Sequence, residues 1–91
     1  MKAKRILVRG RVQGVFYRNW AVREARSLGL SGWVRNRRTG DVEILASGPE
    51  EAIAALAEKC RAGPPAAEVG EVDVEDAETE PLDGFSKRPT A

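Results

Sequence analysis

The stretch SGPEEAIAALAEKCRAGPP, residues 47–65, constrains the fold more than any other part of this chain. Ser47 or Gly48 suits the cap of a helix, Pro49 its first position, and Glu50 and Glu51 meet the positive end of its dipole. Ile53, Leu56, Ala57 and Cys60 fall on one stripe, so the helix buries one face, and Gly63-Pro64-Pro65 stops it.

Upstream, KRILVRGRV alternates Ile6, Val8 and Val12 with Arg5, Arg9 and Arg11, the period of a strand with one face on a core. A first helix is expected from about Arg18 to Leu28, with Trp20, Ala21, Ala25 and Leu28 at helical spacing and Gly29 as its stop. SGWVRNRRTGDVEILASG then reads as a hairpin, with strands over about 32–37 and 42–47 around a turn at Thr39-Gly40-Asp41. After the second helix, AAEVGEVDVEDAE alternates Val69, Val72 and Val74 with acids, and Gly70 breaks the period as a bulge does. A short last strand is read near Phe85. The order strand, helix, strand, strand, helix, strand is the ferredoxin-like βαββαβ arrangement, an α+β sandwich with an antiparallel sheet and both helices on one face. With no repeat and no linker, residues 1–91 are expected to form a single domain.

Charge is distributed unevenly. Residues 1–38 carry 11 Lys and Arg against the single acid Glu24, and residues 39–91 carry 4 against 13 acids. Either the first half builds an anion-attracting region or the two halves interleave and cancel. The acid-rich EVDVEDAETE reads as a solvated strand face rather than a metal site, and Asp41 and Glu43 near the hairpin turn read as solvated too. A lone cysteine, Cys60, forms no intrachain disulfide and sits on an apolar stripe, so it reads as core in a reducing, cytoplasmic setting. The longest small-apolar run, AIAALA, neither spans nor targets a membrane.

The chain has no His, which removes the usual general base and the commonest metal ligand, and one Cys excludes cysteine-rich metal centres. No metal or cofactor is expected. Catalysis here would have to rest on backbone amides, guanidinium groups and carboxamides, which bind and orient oxyanions. GRVQGVFYR, residues 10–18, offers such a device. A strand that ends in a loop bounded by Gly10 and Gly14 and runs into a helix turns successive N–H groups into one concavity, and Arg18 is placed to grip two phosphate oxygens with its planar fork. The competing reading is a simple turn, with Arg18 paired to an exposed acid.

GRVQGVFYRNWA resembles the signature of the acylphosphatase family, and GWVRNRRTGDVEI resembles its second signature. The resemblance continues through GPEEAI, GPPAAEVGEVDVE and Gly84-Phe85, covering nearly the whole chain. It implies a ferredoxin-like sandwich that hydrolyses the carboxyl–phosphate bond of small acyl phosphates without metal or cofactor. By position, the family's phosphate-binding arginine matches Arg18, and its amide cradle matches Gln13, Gly14, Val15, Phe16, Tyr17 and Arg18. Its water-positioning asparagine matches Asn36, which shares a strand face with Val34. Two departures stand out. Phe16 replaces a glycine common after QGV, and GFSKRPTA, with Lys87 and Pro89, lacks the family's alternating apolar end, which leaves the last strand open.

Two noncatalytic readings stay beside this one. A single-stranded RNA binder on the same fold would need stacking aromatics on the open sheet face, where Trp33 is the sole candidate and reads as packing. An anion-sensing domain would keep the cradle without turnover. No nucleic-acid partner, no membrane partner and a monomeric state are expected.

Overall fold

In the computed structural model, which describes residues 2–91, the alternation of Ile6 and Val8 becomes β1 (Lys2–Arg11). It is followed by α1 (Tyr17–Ser27), β2 (Ser31–Asn36), β3 (Val42–Ser47), α2 (Glu50–Ala62), β4 (Glu68–Glu78) and β5 (Phe85–Lys87). The strands order as β4-β1-β3-β2-β5. Pairs β1–β3, β1–β4 and β2–β3 are antiparallel, whereas β2–β5 is parallel. The sheet is therefore mixed at one edge rather than wholly antiparallel. β5 enters after the 79–84 connection in the same direction as β2, so only a parallel register is open to it.

Ile6, Val8, Val34, Ile44 and Ala46 meet Ala21, Val22 and Ala25 of α1 and Ile53, Leu56, Ala57 and Cys60 of α2 in one buried cluster. Both helices thus lie on one face, and the α2 stripe is the one the sequence spacing gives. Truncating the fully buried Leu56 to Ala would cost about 3 kcal/mol. α2 begins one residue later than expected, with Pro49 at its cap position, while the Ser47 hydroxyl donates to the Lys2 carbonyl instead of capping. α1 ends in a Schellman motif, with Leu30 N–H on Ala25 O and Gly29 N–H on Arg26 O, both 3.0 Å.

Gly70 does mark a bulge: Arg9 pairs with Glu71 and Gly10 with Val69, leaving Gly70 without a partner across the ladder. Opposite it, Gly10 has φ 127°, and a Cβ there would come within 2.4 Å of Glu68 O, so no side chain fits. The bases of β1 face the acids of β4. Lys4 pairs with Asp76, Arg5 with Glu75, and Arg9 with both Glu71 and Asp73. Along this strand pair the two halves of the chain do interleave and cancel.

The opposite sheet face is not bare. Trp33 is 6% exposed, packed with Ala3 and Leu45 and covered by the Arg35 and Arg88 guanidinium groups at 4.6 and 5.0 Å from its ring. The last strand forms despite Lys87 and Pro89. Past β5, Arg88 N–H reaches Val34 O at 2.9 Å and Ala91 N–H reaches Asn36 O at 3.0 Å, so the tail runs on beside β2.

Candidate active site

The segment between β1 and α1 turns sharply because two residues adopt left-handed backbone. Gly14 has φ 74°, which costs a glycine little, but Phe16 also has φ 61°. A Cβ-bearing residue resists that conformation, and this is the physical reason a glycine suits the position in the resembling signature. The Phe16 side chain is 81% exposed and packs on no core, so nothing in its burial offsets the strain.

The first α-helical bond of α1 runs from Trp20 N–H to Phe16 O at 3.1 Å. The N–H groups of Gly14 to Asn19 have no acceptor among the described residues, α1 has no side-chain cap, and its first turn holds no acid. These orphan donors and the dipole put positive potential at the loop and helix end, the kind of end to which anions are attracted. Arg18, in that first turn, forms no ion pair among the described residues, against the expectation that it could be consumed by an exposed acid. A cavity of about 290 Å³ is lined by Gly14, Phe16, Tyr17, Arg18 and Asn19, by Asn36 of β2 and by Lys87 of β5.

Asn36 reaches this cavity because of what its neighbours do. Arg35 Nε and Arg37 Nη1 both donate to Glu43 Oε1, at 2.7 and 3.0 Å, while Arg5 Nε donates to Glu43 Oε2 at 2.8 Å. With both flanking side chains tied to the far face of the sheet, strand alternation turns Asn36 to the helix side. Its Oδ1 is buried and lacks a hydrogen-bond partner among the described residues. Glu43 is 2% exposed, so the expectation of a solvated acid is overturned. Burial alone would raise its carboxyl, but hydrogen bonds from Arg35, Arg37 and Arg5 outweigh that and hold it below the ordinary 4.5.

Of the residues matched by sequence, Gln13 and Val15 are not among those lining the cavity. Gln13 Nε2 donates to Arg37 O at 2.7 Å and to Asp41 O at 2.9 Å, which ties the loop to the hairpin that carries Asn36. Val15 packs against the core. Tyr17 lines the cavity, and its side chain runs into the core: the hydroxyl donates to Cys60 O at 2.7 Å, the ring meets Trp20 edge-on, and burial raises the phenol. Cys60 is fully buried, and that burial pushes its thiol up to about 11, so it stays protonated and inert near neutrality. Sequence reasoning missed Glu43 and Asn19. Glu43 stands opposite Arg35 in the β2–β3 ladder, a pairing that the approximate strand bounds of the sequence did not fix.

The acylphosphatase family model matches residues 4–87. The chain is 48% identical over 88 residues to an acylphosphatase of Rhizorhabdus wittichii, covering 97% of this chain and 89% of that protein. It is 47% identical over 90 residues to one of Rhodospirillum rubrum, covering 99% of each. Among solved structures, an acylphosphatase from Bacillus subtilis superposes with a TM-score of 0.91 at 42% identity, over 97% of this chain and 99% of that one.

Proposed function

This chain belongs to the acylphosphatase family, and we propose that its hydrolysis of acyl phosphates is run by the open amides of the segment Gly14 to Asn19, the Arg18 guanidinium and the Asn36 carboxamide. One observation carries this assignment of roles: an arginine free of carboxylates and a buried, unpartnered carboxamide oxygen face a single cavity with an uncapped helix end.

The equatorial oxygens of the phosphoryl group sit against the amides and in the fork of Arg18, whose fixed charges need no reorganisation as negative charge builds. A water donating a hydrogen bond to Asn36 Oδ1 satisfies that orphan acceptor and is held for attack. Its oxygen bonds to phosphorus while the phosphorus–acyl oxygen bond breaks, the electron pair leaving on the carboxylate. A carboxylate is a stable leaving group and needs little proton donation. The cavity lining holds no carboxylate and no imidazole, so the proton of the attacking water passes to an oxygen of the substrate's own phosphoryl group.

The test is phosphate release from acetyl phosphate by the purified protein in chelator. Arg18→Ala and Asn36→Ala are each expected to lower kcat/KM by roughly 10² or more, with unchanged thermal unfolding. Asn36→Ala should keep phosphate affinity while Arg18→Ala loses it. Normal turnover by folded Arg18→Ala protein would overturn the assignment. Phosphate binding by folded wild type with no turnover would favour the anion-sensing alternative.

The RNA-binding alternative is disfavoured by the burial of Trp33 beneath two arginines, which removes its face as a stacking platform. No helix among the described residues is long and apolar enough to cross a membrane. We read the protein as a cytoplasmic monomer acting on small molecules, a reading supported by its unpaired, buried cysteine.

A further inference from the structure

A second cavity, of about 530 Å³, opens beside the first. The two share Phe16, Asn19 and Lys87, so they adjoin along a groove between α1 and β5. The second part adds Val22, Arg23 and Arg26, and no acid lines it. Arg23 and Lys87 form no ion pair among the described residues, and Arg26 commits only its Nε, to Phe85 O at 3.1 Å. This contrasts with β1, where Lys4, Arg5 and Arg9 each face an acid. Arg18, Arg23, Arg26 and Lys87 therefore line the two adjoining cavities with no acid among them.

Spacing on α1 gives that groove a length. Asn19, Arg23 and Arg26 fall at i, i+4 and i+7 on one helix face, so Arg23 stands about 6 Å and Arg26 about 10 Å beyond Asn19 along the axis. Phe16 and Val22 supply an apolar wall along the same path. With phosphate at the helix end, the acyl group would pass Phe16 and reach the Arg23 level after about three or four carbons.

We propose that this groove is an acyl-group subsite selecting acyl phosphates whose chain ends in a second anion, a carboxylate or phosphate, with Arg23 and Lys87 as the specificity residues. The proposal rests on the phosphate site assigned above. An acyl chain with a terminal negative charge satisfies two otherwise unpaired cations. A short neutral acyl group leaves them in water and loses nothing at the reacting phosphorus. The subsite should therefore discriminate in kcat/KM without being required for the chemistry.

The first experiment compares kcat/KM for succinyl phosphate and acetyl phosphate, in wild type and in Arg23→Ala. Wild type is expected to favour succinyl phosphate, and Arg23→Ala to shrink that preference by roughly 3- to 10-fold with acetyl phosphate turnover intact. Raising salt should shrink it too. An equal fall for both substrates, or an unchanged ratio, would overturn the subsite while leaving the hydrolase reading in place. The second experiment needs no turnover: binding of 5-phosphonopentanoate against pentylphosphonate, which differ in the terminal carboxylate. Tighter binding of the carboxylate form, lost in Arg23→Ala, supports the subsite, and equal affinities sink it. Failure of the wild type to hydrolyse acetyl phosphate at all would instead break the reading of the phosphate site.

Discussion

The two helices of this protein begin in opposite ways. α2 starts behind Pro49 with Glu50 and Glu51 in its first turn, and the acids offset the positive end of its dipole. α1 starts behind a left-handed Phe16, with no acid in its first turn and Arg18 in their place. Neither helix has a side-chain cap, so the contrast lies in charge and strain. One end is finished for stability. The other is left with unsatisfied donors and an unneutralised positive potential, an arrangement that suits an anion.

An open helix end needs rigidity from its surroundings, and Glu43 supplies it by gathering Arg5, Arg35 and Arg37 beneath the strand that carries Asn36. Glu43→Gln is expected to cost the most, about 3 kcal/mol of stability, since it leaves three clustered guanidinium groups without their counter-charge. Denaturant unfolding measures this, and turnover should fall as well if Asn36 loses its orientation. The folded carboxyl lies below its ordinary value, so its stabilisation is present above about pH 4.5 and is lost as pH falls through the folded value. Wild-type stability should decline with acid below that point more steeply than that of Glu43→Gln. Parallel curves would show that the cluster contributes nothing.

Giving α1 the kind of start that α2 has should break the contrast directly. Asn19→Asp places an acid in the first turn of α1, and phosphate affinity is expected to fall roughly tenfold while helix stability rises slightly. Unchanged affinity would mean that the anion does not sit at this helix end. Phe16→Gly should raise stability by about 1 kcal/mol through relief of the left-handed strain, read as a shift in the denaturation midpoint. A loss of stability would show that the exposed ring makes a contribution the backbone strain conceals. The smallest effect belongs to α2. Glu51→Gln is expected to lose about 0.5 kcal/mol and leave kcat/KM unchanged, because that helix end serves only the fold.

Most of the architecture was legible because it depends on local periodicity. The stripe of Ile53, Leu56, Ala57 and Cys60, the alternation around Ile6 and Val8, and the bulge at Gly70 are each set by neighbours within a few residues. The resemblance singled out Arg18 and Asn36, which line one cavity, and the alternation of Asn36 with Val34 agrees with its position there. Glu43 was misread since an acid beside a turn is ordinarily solvated. Its burial depends on three arginines from β1, β2 and the hairpin turn, and no local pattern reports that meeting.

The sequence by itself determined the order of elements, the helix faces and the residue types at the loop before α1, because propensity and period act over one or two turns of chain. Tertiary structure alone decided which charges survive. β1 was zipped to β4, so its bases were neutralised, while Arg18, Arg23 and Lys87 were set along a groove without acids. It also decided that β5 runs parallel to β2 and brings Lys87 to the site. The reason is physical: a charge acts on whatever lies within a few ångströms, and proximity between residues far apart in sequence is created only by packing.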